Sequence, residues 1–169
     1  YLRTRSSDLA LQQITAPVAS TTWPVGSPVT VQWQDDGSTP LLSSIGVCQL
    51  GIFTGNQIQQ TELQQVGTLD VSVNNSITFQ INTNIGPSNQ QVFMRFTSQS
   101  LMDPTTPQYP YEAFSAMFSL TGANGIFNST IQAQIDGAST AGAIGGASTS
   151  APASSSTPKA STSAAASSA

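Results

Sequence analysis

The run ITAPVASTTWPVGSPVTVQW, Ile14 to Trp33, decides how this chain is read. It has a lead-in broken by Pro17, then Trp23-Pro24-Val25-Gly26 as a turn, then a strand. In that strand Val29, Val31 and Trp33 point one way, and Thr30, Gln32 and Gln34 the other. A period of two is the pattern of a half-buried strand. Trp33 is therefore expected in a core. Ile14 and Val18 bracket Pro17, which cannot donate to a ladder, so the first strand is expected at a sheet edge.

Outward from that stretch the chain reads as further strands. Asp35-Asp36-Gly37-Ser38 closes the first with turn residues. Gly46–Phe53 is apolar on both faces, with Cys48, Leu50 and Ile52 on one and Val47 and Phe53 on the other, which predicts a central strand covered on both sides. Gln57–Val66 fits a short helix or a strand equally well. Leu69, Val71 and Val73 alternate, as do Ile77, Phe79 and Ile81. Gln91–Ser98 places Val92, Met94 and Phe96 on one face and Phe93, Arg95 and Thr97 on the other. Ser100–Pro110 reads as a long loop. Ala113–Thr121 reads as the last clear strand, with Phe114, Ala116, Phe118 and Leu120 inward. These segments predict an all-β, immunoglobulin- or fibronectin-like antiparallel sandwich of about seven strands. The core is expected to contain Trp33, Cys48, Phe96 and Phe118.

The organisation follows. Residues 1–11 are expected to be a flexible arm, 12–121 the sandwich, and 122–136 a transition or an edge strand. From Gly137 onward 29 of 33 residues are Ala, Ser, Thr or Gly, and 14 are Ser or Thr. That composition buries too little apolar area to offset ordering, so 137–169 is expected to be a disordered, O-glycosylated stalk.

Only 7% of the 169 residues are charged, against roughly 25% in an ordinary soluble domain. The net charge is −4 and there is no histidine. Arg3, Arg5, Arg95 and Lys159 are too few and too scattered for a basic patch, so no nucleic-acid partner is expected. A surface rich in Ser, Thr, Gln and Asn and poor in Lys suits a secreted glycoprotein. Asn74-Asn75-Ser76 and Asn128-Ser129-Thr130 are N-glycosylation sequons in predicted turn or edge sequence. No run of 18 apolar residues predicts a membrane span. Tyr1-Leu2-Arg3-Thr4-Arg5 is not the start of a signal peptide, so a secreted form is expected to have lost its signal. Cys48 is the single cysteine. It is expected as a small buried hydrophobe, with an intermolecular disulfide as the alternative.

In order, the chain carries I-T-A-P, then W-P-V-G-S-P-V-T-V-Q-W, VCQLGIF, ITFQI, VFMRFTS, YPYEAFSAMFSL and a Ser/Ala-rich tail. Over about residues 12–121 this resembles the fungal Ser-Thr-rich, glycosylphosphatidylinositol-anchored family. The N-terminal domain of that family is similar to the yeast cell-wall synthesis proteins of the β-1,6-glucan pathway. The resemblance implies an immunoglobulin- or fibronectin-like sandwich, a place at the fungal plasma membrane or wall, and a role in wall polymer assembly. It also implies a C-terminal anchor signal. The chain ends in small residues suited to attachment but shows no apolar tail, so either the tail has been removed or the protein is secreted free.

Catalytic constellations are scarce. Without histidine there is no Ser-His-Asp or Cys-His system, no histidine zinc site and no histidine clamp for copper. No cofactor or metal is expected. A glycosidase needs two carboxylates at a set separation, and the sandwich offers Asp35, Asp36, Glu62, Asp70, Asp103 and Glu112. Asp35 and Asp36 suit turn capping and lack calcium-loop spacing. Glu112 stands out because Tyr109, Tyr111 and Phe114 flank it, although Glu is mostly a solvated residue. Trp23, Tyr109 and Tyr111 fall in proline-rich sequence and could stack on a sugar ring. The competing reading makes Trp23 a core plug at one end of the sandwich and the tyrosines loop anchors.

The favoured expectation is a non-enzymatic surface or secreted protein associated with wall glucan. The alternatives are a carbohydrate-binding module using Trp23, Tyr109, Tyr111 and Glu112, a hydrolase or transglycosylase built on Glu112 and another carboxylate, and a structural protein that self-associates through an edge strand near the Gln-rich 57–65 stretch.

Overall fold

The computed structural model describes residues 14–137. The arm expected over 1–11 and all but Gly137 of the expected stalk lie outside the described residues. Among the described residues nine strands are present: β1 (Ile14–Ala16), β2 (Thr22–Pro24), β3 (Pro28–Trp33), β4 (Val47–Gly55), β5 (Gln60–Asp70), β6 (Ser76–Gln80), β7 (Gln91–Met102), β8 (Pro110–Phe114) and β9 (Phe118–Thr121). The described residues also form two short helices, α1 (Leu42–Ile45) between β3 and β4 and α2 (Ser129–Ile135) after β9.

The strands form two sheets. One has the order β1-β3-β6; the other runs β2-β9-β7-β4-β5, with β8 also paired to β7. The expected immunoglobulin-like sandwich is present. One pair departs from the antiparallel expectation: β2 runs parallel to β9, Trp23 opposite Leu120. The chain leaves the first sheet at Ala16, where Pro17 ends the ladder, and β2 enters the second beside a strand from the far end of the sequence. The Trp23–Gly26 stretch, expected to be a turn, thus begins as a short strand.

The alternation of β3 sets the core. Val29, Val31 and Trp33 are buried while Thr30 and Gln32 are exposed. The Trp33 ring meets Phe96 edge-on at 5.4 Å between centroids, and its Nε1 donates to the Val71 carbonyl at 3.2 Å. A buried indole needs such a partner. Cys48, Leu50, Val92, Met94, Phe96, Phe118 and Leu120 complete the interior. Strand β4 is central, between β5 and β7. Its inner face carries Cys48, Leu50 and Ile52, and its outer face carries Phe53, which is only 5% exposed.

Three further segments differ from expectation for physical reasons. Gln57–Val66 resolves into a turn and then strand. Asn56 Oδ1 accepts from the Ile58 and Gln59 amides, and β5 then pairs with the whole length of β4. The last expected strand is two strands. At Ser115 the backbone amide donates to the Met94 carbonyl, and Ser115 Oγ accepts from the Met94 amide. The break shifts the alternation, so Ala113 faces the core and Phe114 packs outside against Phe93. Within 122–136, expected as a transition or an edge strand, Ser129–Ile135 forms helix α2. Asn128 caps it, with Oδ1 accepting from the Ile131 amide at 2.9 Å. The helix packs against β4.

Candidate functional site

The topology sorts the acidic residues. Strands β3, β5 and β7 end, and β4, β6 and β8 begin, at the same end of the sandwich. Backbone bonds tie the loops there together: Val71 to Gly46, Trp33 to Asn75, and Asp103 to Tyr109. Asp35, Asp36 and Asp103 lie in these loops, and Asp70 ends β5 beside them. Each carboxylate is used locally. Asp35 accepts from the Gly37 and Leu42 amides, Asp36 from Ser38, Asp70 from the Ser72 amide and hydroxyl, and Asp103 from the Thr105 and Thr106 amides. The Ser72 bonds hold the Asp70 carboxyl below its ordinary range. Among the described residues no group of three or more His, Cys, Asp or Glu could hold a metal ion.

Tyr109 and Tyr111 sit at this acidic end. Tyr109 is 47% exposed. Tyr111 packs against the core. Burial, reinforced by Asp103, Asp36 and Cys48, pushes its hydroxyl above the usual tyrosine range. Burial likewise pushes the Cys48 thiol up to about 12, with Asp70 adding to the effect.

Glu112 lies on the outer face of the larger sheet. Its carboxylate is 3.7 Å from Arg95. Arg95 in turn sits 3.8 Å over the Phe53 ring and donates to Gln60 Oε1 at 3.3 Å. Both charged side chains are 23% exposed. Arg95 is the one Lys or Arg among the described residues, and it is committed to Glu112, Phe53 and Gln60. Sequence reasoning missed this arrangement, though the outward alternation of Phe93 and Arg95 in β7 was its visible trace.

Trp23 is elsewhere. Its ring is wedged between Phe118, at 4.7 Å, and Phe79, at 6.4 Å, both edge-on. It pairs through β9 with the start of β7, whereas Tyr109 lies beyond the end of β7. The twelve residues of β7 span roughly 35–40 Å at strand rise. Trp23 therefore does not form a stacking platform with Tyr109 and Tyr111; it packs where the β3–β6 sheet meets β9.

A concave surface that sequence reasoning missed lies at the acidic end. It is an open trough of about 570 Å³ between the end of β3 and the turn from Val71 to Ser76. Gln32, Gln34, Asp35, Ser72 and Asn75 line it with amides, a carboxylate and a hydroxyl; Leu42 and the exposed Val73 add apolar surface. The outward positions of Gln32 and Gln34 were readable in the sequence, but the wall opposite comes from residues some forty positions later.

Both sequon asparagines are exposed. Asn74 stands on the rim of the trough, its Nδ2 donating to the Asp70 carbonyl. Asn128 is the cap of α2. No helix among the described residues is long and apolar enough to cross a membrane.

No curated protein matches the chain. A family model does: the Kre9/KNH-like N-terminal Ig-like domain, over residues 16–112, more than half of the chain. The match begins at the end of β1 and covers the two sheets as far as β8; β9, which adds Phe118 and Leu120 to the core, follows it. With the β-sandwich and this match agreeing, the chain belongs to the Kre9/KNH-like N-terminal Ig-like domain family.

Proposed function

We propose that this chain is a secreted or cell-surface fungal protein that acts without catalysis in organising wall glucan. One observation carries the reading, the family match over residues 16–112. The family's link to yeast cell-wall glucan synthesis supports a cell-wall-associated role. The state of the carboxylates supports a non-catalytic one. Hydrolysis of a glycosidic bond uses two carboxyl groups facing one substrate. Here Asp35, Asp36, Asp70 and Asp103 accept backbone amides of their own turns, and on the outer face of the larger sheet, which the exposed Glu62 shares opposite Phe53, Glu112 is already paired with Arg95. Exposed Asn74 and Asn128 and the Ser/Thr-rich C-terminal sequence support a glycosylated protein held at the surface, with a glycosylphosphatidylinositol anchor as the means.

Fractionation of fungal cells making the tagged full-length precursor tests the setting. Recovery with the wall or plasma-membrane fraction is expected, and recovery in the cytosol alone overturns the reading. Incubation with glucan oligosaccharides, followed by mass spectrometry, tests the absence of catalysis. An unchanged mass distribution is expected; new products overturn it.

A second reading, self-association, is favoured by β5. It is an eleven-residue strand at the edge of the larger sheet, and an edge strand can template pairing with another chain. Light scattering after size exclusion decides it, since a monomer at all concentrations excludes the reading.

A further inference from the structure

We infer that the trough between β3 and the Val71–Ser76 turn binds a neutral, hydroxyl-rich chain, a polysaccharide, held by the side-chain amides of Gln32 and Gln34. The two glutamines are exposed, line the trough, and make no side-chain hydrogen bond among the described residues. Gln32 lies in β3 and Gln34 one residue past its end, and both line the same trough. Each offers two N–H donors and one carbonyl acceptor, which suits hydroxyls that both give and take hydrogen bonds.

The site is also fixed in place. Strand β3 is held on both sides, by β1 and β6. The opposite wall is braced by bonds from Trp33 N to the Asn75 carbonyl, from Asn74 Nδ2 to the Asp70 carbonyl, and from the Ser72 amide to Asp70. A wall that need not reorganise costs little to bind against.

Charge selects the class of ligand. Among the described residues the trough has no cationic side chain to hold an anion, since Arg95 is committed on the outer face of the other sheet. Its single charged residue is Asp35, whose two oxygens already accept the Gly37 and Leu42 amides. They retain lone pairs for a sugar hydroxyl. Val73, 79% exposed at the trough, gives an apolar contact for the C–H face of a ring. An anionic polymer finds no counter-charge here, and an apolar ligand leaves the amides unpaired.

The choice of wall glucan as the polysaccharide rests on the function proposed above; the site and its preference for a neutral chain do not. The full chain, carrying the N-glycans that the proposed function gives it, is titrated with β-1,6-glucan, β-1,3-glucan and chitin oligosaccharides, and with a sulfated polysaccharide. The readout is the side-chain amide signals in NMR. Movement of the Gln32 and Gln34 signals with at least one neutral oligosaccharide, and none with the sulfated polymer, is expected. The double variant Gln32→Ala/Gln34→Ala is expected to bind at least tenfold more weakly with an unchanged unfolding midpoint, and Gln65→Ala, on exposed β5 surface, to bind as the parent does. Still signals with every neutral oligosaccharide, equal binding by the double variant, or preference for the sulfated polymer overturns the site. Wall recovery in the fractionation experiment with no binding here removes this inference and leaves the proposed function standing. Binding here without wall recovery does the reverse.

Discussion

The Gln64 side chain of β5 donates from Nε2 to the Gln80 carbonyl at the end of β6, at 2.8 Å. Its Oε1 accepts the Asn82 amide at 2.9 Å. One amide thus joins the edge of the larger sheet to the edge of the smaller and occupies two backbone groups that no strand reaches. It also limits how much of the β5 edge is free to pair with another chain.

Replacing Gln64 with Ala leaves the Gln80 carbonyl and the Asn82 amide to water. Because the pair is exposed, the expected loss is about 1 kcal/mol, at the lower end for two hydrogen bonds. Urea unfolding reads the loss, and faster hydrogen exchange at the Asn82 amide locates it.

Trp33 unites the alternation of β3, the Phe96 contact and the bond to Val71. Trp33→Phe keeps most of the apolar volume but leaves the buried Val71 carbonyl without its indole donor, at an expected cost of about 1–3 kcal/mol. Trp33→Ala adds a cavity and is expected to cost about 3–5 kcal/mol. The difference between the two midpoints in denaturant separates the hydrogen bond from the volume.

The folded unit is longer than the family match. Phe118 and Leu120 are 0% and 1% exposed, and β9 supplies the only partner that β2 has among the described strands. A chain ended at residue 112 is therefore expected to lose cooperative unfolding, because it leaves Trp23 without Phe118 and β7 without β9. A chain ended at residue 137 is expected to unfold at the parent's midpoint. Near-ultraviolet circular dichroism during thermal unfolding distinguishes the two.

Cys48 makes stability depend on alkaline pH. Its folded pKa, about 12, is above the ordinary value of 9.0, so the folded state keeps a proton that the unfolded state releases. The contribution is complete below pH 9 and is lost as the pH rises through that interval. The fall is at most about 1.4 kcal/mol per pH unit for one proton. Tyr111, shifted in the same direction, adds to it. Unfolding free energies measured from pH 8 to 11 are expected to decline, and Cys48→Ala is expected to flatten the decline.

Much of the fold is legible in the sequence. The period-two alternation of β3, β6 and β7 marks strands because successive side chains on an extended backbone point to opposite faces. The two-sided apolar run of β4 marks a central strand for the same reason. The alternation failed at Ser115, where a hydroxyl and a backbone amide replace part of the ladder and let the chain slip register. It also failed at Ile131–Ile135, where the Asn128 cap outweighs a weak alternation.

The candidate site divides in the same way. The sequence by itself determined that Gln32 and Gln34 face outward, that aspartates close the turns, and that no histidine chemistry is available, since these follow from residue type and local spacing. Only the tertiary structure decided that Trp23 packs on Phe118 far from Tyr109, that Glu112 meets Arg95 over Phe53, and that the Ser72–Asn75 turn stands opposite the glutamines. Each of these depends on which strands lie side by side. That pairing is settled by burial of the whole core, and no local pattern records it.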